Sequence, residues 1–95
     1  MSSGKKYDEG KPRWSLIPWG VMQDVVCVLQ FGSDKYGEGN WKSVSDARTR
    51  YFNAALRHVL AWHGGEVADP DTGKSHLAHA TCCLLFLMWI DKGEK

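Results

Sequence analysis

The apolar positions of the chain recur at helical spacing in its first half. The stripe is made of aliphatic side chains at i, i+4, i+7 and i+8: Val21, Val25, Val28 and Leu29. Pro18 suits the first position of a helix, because its missing N–H has no partner there in any case. The pattern therefore predicts a helix from residue 18 to about residue 36, with Gly37 available for a left-handed cap.

A second helix is predicted in the middle of the chain. Ser43 and Ser45 are both good N-cap residues, and the helix begins after one of them. It runs to His63, where Gly64 and Gly65 stop it.

The third predicted helix follows the stretch "GEVADPDTG" at residues 65–73, which is rich in turn formers. Ser75 caps this helix, which lasts to about residue 91. Residues 77–90 are apolar nearly all round, and such a helix must be enclosed on every side. Two other helices of one small subunit can hardly enclose it, so we expect it to be buried in a homodimer or a larger oligomer.

These elements define one all-α domain, because no strand pattern competes with the three main helices. Residues 1–17 are rich in glycine, lysine and proline and form an irregular N-terminal arm, and residues 18–91 form the helical core. A chain of 95 residues makes a single domain with a modest core. Help from a partner subunit would therefore suit it.

Charge and cysteine content narrow the class of protein. Twelve basic residues nearly balance eleven acidic ones, so the net charge gives no indication of binding to long nucleic acids or membranes. Three cysteines do not form a disulfide framework of the secreted kind. The longest apolar run, residues 80–90, is too short to span a bilayer, and the start has no apolar signal region. These features predict a soluble cytoplasmic protein.

The histidines are the main chemical signal, because all four lie between positions 58 and 79. His76 and His79 stand three residues apart on one helical face, next to an acidic loop. Imidazoles and carboxylates together would form a mixed site for Mg, Mn or a softer ion such as Co or Zn. Its candidate ligands are His58, Glu66, Asp69, His76 and His79. The alternative is that the two histidines of the third helix are satisfied by solvent or the loop.

A metal site of this kind can activate a water molecule, and Glu66 is the best candidate for the general base. On the second helix, at about 100° per residue, Arg50 and Arg57 fall on one stripe with small alanines. Guanidinium groups bind phosphates in bidentate fashion, so both are candidates for substrate binding, and Arg57 also for catalysis. The alternative is a solvated helix face.

Further candidate substrate-binding residues lie in "KPRW" and "FGSDKYGEGNW". They offer charges, an amide and flat rings: Lys11, Arg13, Lys35, Asn40 and Trp41. This mixture can stack a base and hold phosphates, so a nucleotide is the expected ligand. Alternatively, the tryptophans simply fill gaps in a small core.

The stretches "KYDEGKPRWSLIPW", "FGSDKYGEGNW" and "ALRHVLAWHGGEVADPDTGKSHLAHATCCLLF" resemble the small phage dATP/dGTP diphosphohydrolase domain, which is similar to the all-α nucleoside triphosphate pyrophosphatases. The resemblance covers about residues 5–90. It implies metal-dependent hydrolysis of a purine deoxynucleoside triphosphate to the monophosphate and pyrophosphate, in the cytoplasm of an infected host cell.

The chain departs from the wider group, in which acidic pairs of the E-x-x-E and E-x-x-D kind on two helices hold magnesium. His58 stands where the first pair is expected, and His76 and His79 where the second is. Two alternatives therefore stay open. One is a non-catalytic module that binds or sequesters a nucleotide, such as an immune signalling nucleotide. The other is a structural oligomer with zinc at an interface.

Overall fold

A computed structural model describes residue 7 and residues 9–93 of the chain; the predictions for residues 1–6, 8, 94 and 95, which include the first part of the arm, lie outside the described residues. Three α-helices dominate: α1 (Trp19–Tyr36), α2 (Ala47–His63) and α3 (His76–Asp91). Two 3₁₀ turns, Trp14–Leu16 and Asn40–Ser43, precede α1 and α2. Within the described residues there is no strand, only an isolated bridge between Ala68 and Ser75. The all-α prediction is confirmed.

Helix α1 packs against α3 through one side. Val25 and Val28 are buried in a cluster with Ala78 and Cys82. Val21, which the periodicity assigned to the same stripe, is 61% exposed, whereas the adjacent Met22 packs against the cluster. Pro18 is the N-cap and not the first helical residue as predicted, so α1 begins one residue later, at Trp19. At the other end, the N–H of Gly37 donates to the carbonyl of Ser33.

The start of α2 differs from the prediction. Its N-cap is Asp46, in the left-handed conformation at φ 52°, and not Ser43 or Ser45. Ser43 instead ends a 3₁₀ turn that the apolar pattern did not predict. That turn is held by aromatic contacts: Trp41 stacks on Phe86 of α3 with ring centroids 4.4 Å apart. Tertiary packing therefore displaces the serines from the helix entrance.

Helix α3 begins as predicted, since the hydroxyl of Ser75 accepts a hydrogen bond from the N–H of Leu77 at 3.0 Å. It packs against both α1 and α2. Its buried positions are largely small side chains, including Ala78, Ala80, Cys82 and Cys83, which let the helices approach closely. Larger apolar side chains of the same helix stay exposed: Leu77, Leu84, Leu85 and Met88. One chain thus leaves part of α3 uncovered.

None of the helices in residues 9–93 combines the length and the apolar content that crossing a membrane requires.

Candidate metal site and adjoining cleft

The loop between α2 and α3 forms a closed turn that carries two acidic side chains back to the helices. The N–H of His76 donates to the carbonyl of Val67, and the N–H of Glu66 to that of Ala61. Inside the turn, Asp69 Oδ1 accepts hydrogen bonds from the backbone N–H groups of residues 71 and 72 at 2.8 and 3.1 Å. The Asp69 carboxylate is therefore fixed by local backbone hydrogen bonds, and Glu66 is fixed through its own backbone N–H.

Three histidines meet under this loop. His58 Nδ1 and His76 Nδ1 are 2.8 Å apart in a hydrogen bond, and the His58 ring stacks on His79 with centroids 4.6 Å apart. His76 is only 4% exposed, so its polar atoms need partners inside the protein. The i, i+3 pair of α3 and the single histidine of α2 thus form one cluster.

The cluster contains a three-residue group with the geometry of a cation site. His58, Asp69 and His76 each bring one ligand atom within 4.8 Å of the other two. Glu66 lies behind His76, whose Nε2 donates to Glu66 Oε1 at 2.6 Å. His79 Nε2 is 2.7 Å from Thr72 Oγ1, in a hydrogen bond that joins it to the loop.

The protonation states suit metal binding. Burial lowers the pKa of His58 below its ordinary value of 6.5, and the charges of His79 and His76 lower it further. Burial also lowers the pKa of His79, although Asp69 opposes that shift. Burial raises the pKa of Asp69, but hydrogen bonds from the loop backbone outweigh it and the pKa is lowered overall. Neutral imidazoles beside an ionised carboxylate are what a divalent cation requires.

A cleft of about 1020 Å³ lies beside this cluster, between α1, the 40–43 turn, α2 and α3. The stripe of α2 that periodicity predicted faces into it, through Arg50, Asn53, Ala54 and Arg57. His79 lines the same cleft, and so joins it to the imidazole cluster. Arg57 is close enough to His58 for its charge to contribute to the lowered pKa of that histidine, after burial and the neighbouring imidazoles.

The predicted substrate-binding residues divide into two groups. Asn40, Trp41, Arg50 and Arg57 line the cleft. Lys11, Arg13 and Lys35 do not line it, and the Lys35 ammonium lies 5.2 Å from the ring centroid of Tyr36, a lining residue. The indole of Trp41 already stacks on Phe86, so that face is taken by the core. The roles of all seven residues stay predictions.

Two polar residues of the site were not among the sequence candidates. Asn53 lines the cleft one helical turn after Arg50, a spacing that could have identified it. Thr72 holds His79, and it follows Asp69 by three residues in a segment of turn formers. An Asx turn at that spacing is a sequence signal for such a loop, but the contact of Thr72 with α3 depends on the fold.

The fold and the site together define an all-α domain with a largely apolar cleft that carries two arginines and lies next to an imidazole–carboxylate cluster. The family model for the N-terminal domain of dATP/dGTP diphosphohydrolases matches residues 1–95, and the chain belongs to this family. It is 38% identical over 88 residues to a dATP/dGTP diphosphohydrolase of Salmonella phage PMBT28. The aligned part covers 93% of this chain and 30% of that relative, so the chain spans less than a third of the relative's length. No solved structure is significantly similar to the chain.

Proposed function

We propose that this domain binds a purine deoxynucleoside triphosphate in the cleft and takes part in its metal-dependent hydrolysis to the monophosphate and pyrophosphate. The observation that carries the proposal is the position of His79, which lines the cleft and also stacks on His58 of the candidate metal site. A phosphate chain held by the arginines would therefore end beside the metal ligands. The names of the family and of the phage relative support the substrate class.

The donor set fits a divalent cation. His58, His76 and Asp69 would hold it, with His79 as a further candidate at the cleft wall. Two imidazoles and one carboxylate favour Mn, Co or Zn over Mg, which prefers oxygen ligands. When bound, such a cation supplies charge neutralisation at phosphate and activation of a water molecule.

The side chains of the cleft would bind and orient the nucleotide. Arg57 and Arg50 offer bidentate donors to phosphate oxygens, and Asn40 and Asn53 offer amides that can accept from and donate to a base or sugar. Apolar lining from α1 and α3 would exclude water around the base.

The test is incubation of the protein with each dNTP and NTP under Mg, Mn, Co or Zn, followed by separation of products. We expect dATP or dGTP to yield the monophosphate and pyrophosphate, with Mn at least as effective as Mg and with excess chelator stopping the reaction. Undiminished turnover in excess EDTA would contradict the metal site.

A non-catalytic nucleotide-binding module is the second candidate. It is favoured by the single carboxylate in the three-residue group, because a site with little negative charge binds magnesium weakly. Recovery of intact bound nucleotide after prolonged incubation with each metal would support this alternative and exclude hydrolysis by the domain.

We further propose that two or more copies of the chain assemble through the uncovered face of α3, in the cytoplasm of an infected host cell. The exposed leucines and methionine of that helix support the assembly. The near-neutral net charge of +1 gives no support for binding to long nucleic acids.

A further inference from the structure

The side chain of Glu66 lies on the far side of His76 from the other histidines. Its Oε1 accepts the hydrogen bond from Nε2, whereas Nδ1 of the same ring faces His58. The two nitrogens of His76 are therefore engaged in opposite directions. Glu66 does not belong to the three-residue group that could share one cation.

This contact determines which nitrogen of His76 can bind a metal. A neutral imidazole carries one N–H, and its other nitrogen is an acceptor. With the proton on Nε2 and donated to a carboxylate, Nδ1 keeps its lone pair and points into the cluster. A hydrogen bond to an ionised acceptor is also stronger than one between neutral groups, so the ring is held firmly in that orientation.

His76 and Glu66 differ strongly in burial. His76 has 5% of its side-chain surface exposed, whereas Glu66 has 55%. The carboxylate thus reaches inward from the solvent side of the loop and touches the ring at its outer edge. Backbone hydrogen bonds at both Glu66 and His76 fix this approach, so the contact does not depend on the side chain alone.

We infer that Glu66 is a positioning residue of the metal site: it holds His76 with Nδ1 toward the cation and is neither a ligand nor the general base. The inference rests on the metal site of the proposed function and revises the role that the sequence predicted for Glu66. Carboxylates that accept from the second nitrogen of a metal-bound histidine are frequent in metalloproteins, and their loss typically weakens metal binding 10- to 100-fold.

The experiment measures metal binding by the protein without nucleotide, so it does not depend on turnover. Zn and Co affinities are determined for the wild type, Glu66→Ala, Glu66→Gln and the control Asp71→Ala. Asp71 is an exposed carboxylate of the same loop, so the control removes an equal charge near the site. We expect Glu66→Ala to bind roughly 10- to 100-fold more weakly, Glu66→Gln to lose less because its amide oxygen still accepts, and Asp71→Ala to change least.

Two spectroscopic measurements separate positioning from ligation. The visible Co spectrum of saturated Glu66→Ala should keep the band positions of the wild type, because no ligand has been lost. In the Zn-bound wild type, NMR of the histidine nitrogens should show Nε2 of His76 still protonated. Changed Co bands, a metal-bound Nε2, or unchanged affinity in Glu66→Ala would each overturn the inference. A wild type that binds no metal would overturn the proposed metal site and this inference together, whereas the other three outcomes overturn the inference alone.

Discussion

At the scale of single residues, His79 connects the two halves of the site. Its ring stacks on His58 and forms a hydrogen bond with the hydroxyl of Thr72, and it also lines the cleft. We expect His79→Ala to abolish turnover while helical content by circular dichroism stays near that of the wild type. The control His63→Ala removes an exposed histidine from the end of α2. Full turnover in His79→Ala would remove this residue from the site.

Arg57 is the second residue whose role can be tested alone. Arg57→Lys keeps the charge but loses the bidentate fork. Because charge develops on the transferring group and on pyrophosphate, we expect a loss of about 2–4 kcal/mol of transition-state stabilisation. Nucleotide affinity should fall less than turnover.

Affinity and product release are measured side by side on Arg57→Lys. In a purely binding module, the same change would weaken affinity with no turnover to lose. Unchanged values of both would show that Arg57 is only a solvated residue of the helix face.

The lowered pKa values of His58 and His79 predict how stability depends on pH in the metal-free protein. In the folded protein both histidines have a pKa below the ordinary value of 6.5, which they take in the unfolded chain. Below that pH the unfolded chain therefore binds more protons, and the free energy of unfolding decreases as the pH falls. Thermal unfolding in EDTA should show a lower Tm at pH 5.5 than at pH 7.5, with a smaller difference in His58→Gln. An equal difference in both proteins would contradict the assignment.

At the scale of elements, the junction between the loop and α3 controls the site, because His76 is the first residue of that helix. Ser75 caps the helix through its hydroxyl. Ser75→Ala should lower the free energy of unfolding by about 1 kcal/mol, and Ser75→Asp, which can still accept the bond, should lose less. Chemical denaturation measures both. Equal loss in the two variants would show that the hydroxyl bond is not the cause.

At the scale of the whole molecule, the uncovered face of α3 predicts assembly. Leu84 is 52% exposed in the single chain, and a charge there would be buried without a partner in an apolar interface. Leu84→Glu should therefore lower the assembly state in sedimentation analysis. Because Leu84 is exposed, a charge there should disturb the fold of the single chain little.

The control for Leu84→Glu is Gln23→Glu, which adds the same group at an exposed position of α1. This variant should assemble like the wild type. A monomeric wild type at micromolar concentration would contradict the oligomer.

The helices, the cap at Ser75 and the stripe of Arg50 and Arg57 could be predicted from the sequence, because each depends on neighbours within a few positions of the chain. The spacing of His76 and His79 on one face is local in the same way. The N-cap of α2 at Asp46 could not be predicted, since the 3₁₀ turn before it packs through Trp41 on Phe86, a residue from a distant part of the chain.

The amino-acid sequence by itself therefore determined which residue types lie on each helix face. It also determined that histidines and acidic residues are concentrated near one loop. Only the tertiary structure decided which of these side chains come together in the candidate metal site and which lie at its edge. The crossing of α2 and α3 sets His58 against His76, and the closed loop turns Glu66 to the outer edge of that ring. Helical periodicity fixes the direction in which a side chain points around the helix axis. The distance between side chains on different elements is set by how those elements pack against each other.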